Sequence, residues 1–164
     1  MSPAVSLGSI AVAAAWALLL GALGGVLTRL DGWYYALRQP GWKPPDWAFG
    51  PIWTTIFVAA GTAFVLAWNA PGITPRGRTL LLVAYGVNGL LNLAWSWLFF
   101  RRHRPDWSLV ETGFLLLSIL GLILALMPWS RLGALLILPY LVWVSLAWKL
   151  NYDVVRLNGP QGES

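Results

Sequence analysis

Few residues in this chain could do chemistry. Cysteine is absent and His103 is the only histidine. A Cys/His zinc site, a disulfide and a thiol nucleophile are therefore excluded, and no metal site is expected. His103 stands in the basic run Arg101-Arg102-His103-Arg104, outside the apolar runs that would shelter a Ser–His pair. What remains is indole and amide chemistry, carried by twelve tryptophans and a few asparagines in 164 residues. Asn88 and Asn92 lie one helical turn apart in an uncharged run, and Trp95 and Ser96 continue their face. Trp53, Phe57 and Ala60 share another face at i, i+4 and i+7. Amides in hydrocarbon need partners. They either tie helices together, at ~0.6–2 kcal/mol per contact, or orient a ligand in an otherwise apolar pocket. The residues alone leave both readings open.

The elements that must position these groups are membrane helices. Hydrophobic residues make up 58% of the chain and charged residues 10%, with a mean hydropathy of +0.66. A soluble domain carries roughly 25% charged residues. Net charge is +5, but the basic residues sit at the ends of apolar runs, so the charge reads as membrane topology and no nucleic-acid partner is expected. The spacing predicts an all-α integral membrane protein: a single domain over residues 1–164, folded as a five-helix bundle with a structured first loop. The spans are expected at about 5–28, 47–70, 79–100, 107–127 and 132–155. The first has no Lys or Arg before Arg29, unlike a secretory signal, and is expected to be retained. Its Gly21-x-x-x-Gly25 spacing would let another helix approach closely.

The run from Pro40 to Phe57 organises the rest. Pro40, Pro44 and Pro45 hold its first half extended. Asp46 is expected to N-cap the second span, and Asp106 to do the same for the fourth. Glu111 also suits the positive end of that helix. The connection from Arg29 to Pro45 is long for a membrane hairpin. Trp33, Tyr34 and Leu37 recur as in a short interfacial helix, giving either a surface turn or a lid over the bundle. In the fifth span Pro139 predicts a kink, and the tail from Asn158 is expected to fray. By side, Lys and Arg number 3 against 8. The positive-inside rule then puts the N-terminus outside and the C-terminus and first loop in the cytoplasm.

Several separated motifs carry a family likeness. Pro-x-Trp-x-Pro-Pro-x-Trp-x-Phe-x-Pro-x-Trp runs from Pro40 to Trp53, followed by Asn92-Leu-Ala-Trp-Ser-Trp-Leu-Phe-Phe, Leu138-Pro-Tyr-Leu-Val-Trp and Leu150-Asn-Tyr. In this order they resemble the TspO/MBR family of tryptophan-rich sensory and translocator proteins, once called the peripheral benzodiazepine receptor. The likeness runs from about Trp33 to Asn158.

The resemblance implies a cavity among the helices beneath the first loop. It implicates Tyr34, Pro44, Trp53, Phe57, Asn88, Asn92, Trp95, Trp143 and Ala147 in binding. The implied ligand is a porphyrin or other tetrapyrrole, with a sterol or lipid as a further candidate, and no cofactor is implied beyond the ligand. Leu150-x-Tyr152-x-x-x-Arg156 fits a permissive cholesterol pattern. Likeness also implies a receptor or sensor role, a homodimer and residence in a bacterial membrane. A light-dependent porphyrin-degrading enzyme using Trp53 and Trp143 is the alternative, and a transporter the next, though no inverted repeat supports it. One departure stands at Ala147-Trp148-Lys149-Leu150-Asn151, where Ala-Thr-x-Leu-Asn is expected. Lys149 would either draw a ligand carboxylate or snorkel to the interface.

Overall fold

Inside hydrocarbon an apolar chain satisfies its backbone only by forming helices or a closed barrel. The computed structural model, which describes residues 5–162, takes the helical solution throughout. Its helices are α1 (Leu7–Leu27), α2 (Gly32–Ala36), α3 (Asp46–Trp68), α4 (Pro75–Ser96), α5 (Pro105–Leu126), α6 (Arg131–Leu136) and α7 (Leu138–Asn158). A π turn, Trp97–Arg101, extends α4. Five helical segments are long and apolar enough to cross a bilayer: α1, α3, α4 with its π turn, α5, and α6 with α7. The fifth breaks at Ile137, two residues before Pro139. Leucines at positions 7, 18, 90 and 124 point outward, as lipid-facing residues do.

Proline sets the helix starts, and this corrects the expected caps. Thr74 accepts from the Gly77 N–H at 3.0 Å, so α4 begins at Pro75, four residues before the expected Thr79. Pro45 and Arg104 occupy the cap positions of α3 and α5, and neither Asp46 nor Asp106 caps a helix. Both carboxylates are drawn to cations instead: Asp46 to Lys43 at 2.5 Å and Asp106 to Arg104 at 2.6 Å. Glu111 lies in the second turn, buried, with neither carboxyl oxygen hydrogen-bonded among the described residues.

Lipid is as apolar as leucine, so packing and hydrogen bonds decide which helices meet. α4 packs along α5, α5 along α7, and α3 against α1 and α6, while α3 barely touches α7. The N-terminal half of α1 is fastened to its neighbours. Ser6 N–H donates to Asn69 Oδ1 at 2.9 Å, and Asn69 Nδ2 donates to Ser9 Oγ at 2.9 Å. Trp16 Nε1 donates to the Tyr85 carbonyl at 2.9 Å, and Tyr85 Oη to the Ala60 carbonyl at 2.7 Å. Between Leu20 and Val26, α1 has no such tie among the described residues.

Candidate functional site

Where the ties on α1 stop, a cavity of about 420 Å³ opens between α1, α3, α4 and the first loop. Gly21, Gly24, Gly25 and Thr28 form its α1 wall. A methyl added at any of those three glycines would meet nothing within 4 Å. Among the described residues no helix makes the close approach that the Gly21-x-x-x-Gly25 spacing permits; these glycines border the cavity instead. Gly21, Gly25, Gly50 and Thr54 are exposed, so the cavity opens sideways between α1 and α3.

The opposite wall is aromatic. Phe49, Trp53 and Phe57 come from α3, and Asn92, Trp95 and Ser96 from α4, with Phe100 from the π turn. Phe49 lies one turn before Trp53, so the helical spacing that pairs Trp53 with Phe57 extends to Phe49 as well. Trp53 stacks on Phe57 at 5.3 Å and meets Tyr140 edge-on at 5.9 Å. The Trp53 Nε1–H donates to no described residue, which leaves a donor for a ligand. Asn92 donates from Nδ2 to Tyr140 Oη at 3.1 Å. Its Oδ1 accepts nothing from the described residues and remains available.

Asn88, on the same face of α4, has a different surrounding. It is fully buried and lines no cavity described here. Its Nδ2 donates to Ser118 Oγ at 2.9 Å, and its Oδ1 accepts from Tyr140 Oη at 3.1 Å. Asn88 thus holds α4, α5 and α7 together behind the wall, and through Tyr140 it orients Asn92. Trp143 and Ala147 lie outside the main cavity: of two small voids beside it, Ala147 borders both and Trp143 one. One of about 20 Å³ touches Trp53, Asn92, Trp95, Trp143 and Ala147. The other, about 50 Å³, is lined by Tyr34, Gln39, Lys43, Phe49, Trp95, Ala147 and Leu150, among others. Trp143 packs edge-on against Phe49 at 5.4 Å, and its buried indole N–H has no partner among the described residues. Pro44 lines none of these spaces; its carbonyl accepts from Lys43 Nζ at 3.3 Å.

The first loop is a lid with several fastenings. Asp31 caps α2 by accepting from the Tyr34 N–H at 3.1 Å and faces His103 Nε2 at 3.4 Å. Trp33 stacks on His103 at 4.2 Å. Asn158, at the end of α7, grips the Arg38 backbone twice: its Oδ1 accepts from the N–H at 2.7 Å and its Nδ2 donates to the carbonyl at 2.8 Å. Trp42 Nε1 donates to Asp153 at 3.1 Å. The tail does not fray over its described part. An added methyl at Gly162 would stand 2.8 Å from Leu37, and Asp106 N–H donates to the Pro160 carbonyl at 3.2 Å. Arg101 donates to the Val26 carbonyl and so fastens the end of α1 as well.

Between lid and cavity sits a cluster of three polar groups. Tyr34 Oη donates to Asp46 Oδ1 at 2.7 Å, and Lys43 Nζ donates to the same oxygen at 2.5 Å. Burial, then the bond to Asp46, pushes the Tyr34 phenol above its ordinary pKa. Burial disfavours the Lys43 ammonium, but its bonds to Asp46 and Tyr34 outweigh that and hold its pKa above the usual value. The Tyr34 amide, with help from His103, holds Asp31 below the usual carboxylate range.

The remaining sequence candidates lie on the outside. Lys149 Nζ pairs with Asp153 at 2.5 Å and stands 5.7 Å from the Trp42 ring centre, so it helps strap the lid and lines no cavity described here. Trp148 stacks on Tyr152 at 6.3 Å, and Arg156 stands 5.8 Å from the Tyr152 ring centre. Leu150 faces the small void, so the three residues of the sterol pattern do not share a face.

Comparison with known proteins places this geometry in context. The profile of the TspO/MBR family matches residues 11–157. The tryptophan-rich protein TspO of Chlorobaculum tepidum is 36% identical over 143 residues, covering 86% of this chain and 90% of its own. The translocator protein of Bos taurus is 36% identical over 150 residues, covering 85% and 86%. A tryptophan-rich sensory protein of Cereibacter sphaeroides is 28% identical over 157 residues, covering 91% and 96%.

Proposed function

The chain belongs to the TspO/MBR family of integral, multi-pass membrane proteins, and on that premise we propose that it is a receptor or sensor for a tetrapyrrole-like amphiphile. One observation carries the reading: the cavity of about 420 Å³ beneath a fastened lid, with aromatic walls and two free polar handles, Trp53 Nε1 and Asn92 Oδ1. Small-molecule sites run from about 300 to 1,000 Å³ and are mostly apolar with a few placed polar groups. A flat macrocycle gains stacking area on Trp53, Phe57 and Trp95. It reaches the site from the bilayer through the opening between α1 and α3, without crossing the lid.

A second reading, light-dependent breakdown of the bound porphyrin, is supported by Trp53 in the cavity wall and the unpaired indole of Trp143 one void away. Incubation with protoporphyrin in the dark and under illumination, followed by absorbance, separates the two. Binding as the primary role requires saturable dark binding and bleaching no faster than with an unrelated membrane protein. Trp53→Phe keeps the ring face, so dark affinity should fall by only ~0.5–1.5 kcal/mol. Wild-type bleaching well above the control, abolished by Trp53→Phe, would establish the enzyme instead.

Orientation, dimerisation and sterol contact are further proposals. Cysteine at the exposed Arg76 should react with an impermeant thiol reagent in intact cells, while cysteines at the exposed Arg102 and Gln161 stay shielded; the reverse pattern would invert the topology. A monomeric mass in nanodiscs would remove the homodimer. Failure of a photoreactive sterol to label α7 would remove the contact at Leu150, Tyr152 and Arg156.

A further inference from the structure

Lys43 and Asp46 partition the interior. Asp46 lines the main cavity, Lys43 lines the void of about 50 Å³ beside it, and Tyr34 and Phe49 border both. Of the cavities described above, only that void is lined by a cation. Of the other cations, Arg104 pairs with Asp106, Lys149 with Asp153 and Arg101 with the Val26 carbonyl, and neither these nor Arg29 and Arg38 of the same loop line the cavity or the void. Lys43 is held among the faces of Tyr34 and Phe49, each ring centre 5.7 Å from Nζ, and its side chain is only 15% exposed. Asp46 is its one acidic partner, is 34% exposed, and takes both the Lys43 and the Tyr34 bonds on a single oxygen. The ammonium is sheltered, while its counter-ion is the more exposed of the pair and lines the main cavity at the start of α3.

Resting on the tetrapyrrole reading, we propose that Lys43 selects a ligand carrying an ionised carboxylate, which takes the place of Asp46 on Lys43 and Tyr34. Exchanging one carboxylate for another leaves no sheltered charge stranded, which is the step that would otherwise be prohibitive. The Tyr34 hydroxyl keeps an acceptor throughout. Asp46 turns outward, where water solvates it. A neutral ester of the same macrocycle fills the same aromatic wall but gains no charge-assisted bond. The substrate class is therefore a flat aromatic amphiphile with an acid group at one edge, the edge pointing at the lid.

Protoporphyrin IX and its dimethyl ester test this in the dark, by quenching of tryptophan fluorescence in the purified protein. Each affinity is corrected for the compound's measured partition into protein-free detergent micelles and then expressed as an acid-to-ester ratio. Wild type should favour the acid about tenfold, the scale of one charge-assisted hydrogen bond. Lys43→Met should bring the ratio to within about twofold of parity, with the loss falling on the acid. Lys43→Arg should restore most of the preference. Asp46→Asn removes the competing carboxylate and should raise acid affinity severalfold. Equal binding of acid and ester by wild type would overturn the role of Lys43 and leave the ligand reading standing. Equal weakening of both by Lys43→Met would do the same, reducing Lys43 to a lid fastening. Binding of neither compound would overturn the ligand reading and this inference together.

Discussion

Replacing Asn158 by leucine should open the lid without dissolving the bundle. The Asn158 side chain is 2% exposed and holds both backbone groups of Arg38, at 2.7 and 2.8 Å, from a position 120 residues away. Leucine fills a similar volume and makes neither bond. At about 1 kcal/mol net per hydrogen bond, the closed lid loses about 2 kcal/mol relative to the open one. A tenfold change accompanies each ~1.4 kcal/mol, so the open population should rise about 30-fold. The other fastenings, Trp33 on His103 and Trp42 on Asp153, are broken in the open state of either protein and do not alter that ratio. Amide hydrogen exchange over residues 33–45 measures it directly, with α4 as internal reference. Asn158→Asp keeps the acceptor for the Arg38 N–H and loses the donor, and should fall between, at about 5-fold. Unchanged exchange in the lid would refute the clasp. Equal acceleration in α4 would show that Asn158 supports the bundle rather than the lid.

The remaining predictions divide along the same boundary between scaffold and site. Asn88→Leu strands the Tyr140 hydroxyl proton and removes the donor to Ser118, and should lower stability by about 1–3 kcal/mol in thermal melting, with porphyrin affinity following only as far as folding is lost. Asn92→Leu should instead weaken porphyrin binding while the transition moves less; unchanged affinity in a folded variant would remove Asn92 from the site. Glu111→Leu replaces a buried, unpartnered carboxyl and should leave stability unchanged or raise it, measured by thermal melting; a fall of several degrees would show that Glu111 has an unseen task. Asp31 titrates below the usual carboxylate range, so its hold on the lid is fully present above about pH 4 and is lost as pH falls through the lowered value. Lid exchange, corrected for intrinsic rates, should accelerate only below about pH 4, and Asp31→Asn should abolish that dependence; acceleration beginning near neutrality would point to another group.

Residue type and spacing reached the spans, the interfacial helix of the first loop and the aromatic wall. Length and charge decide the first, and a 3.6-residue period decides which side chains share a face. Periodicity cannot say what stands opposite that face. Asn88 and Asn92 are equivalent by spacing, yet Ser118 and Tyr140 close over one and a cavity meets the other. The same limit applies to Gly21 and Gly25, whose spacing is identical whether a helix or a void lies across from them. At Asp46 the limit is a different one. A cap needs only the following amides, but a cation three residues back competed for the carboxylate and won it. That competitor, Lys43, was in plain view. Its importance was not, because it depends on the loop folding back over α3.

The glycine wall of α1 has a consequence for how this protein would respond to selection for robustness. In a helix interior, glycine is about 0.8–1 kcal/mol less favourable than alanine. Alanine at Gly21, Gly24 or Gly25 would collide with nothing, so each exchange should make the fold tougher. Each would also put a methyl group into the cavity proposed to hold the ligand. Heat tolerance and capacity are thus opposed along one face of one helix. A screen that rewards only survival at high temperature should drift towards alanine there and return proteins that are hardy, well folded and shut.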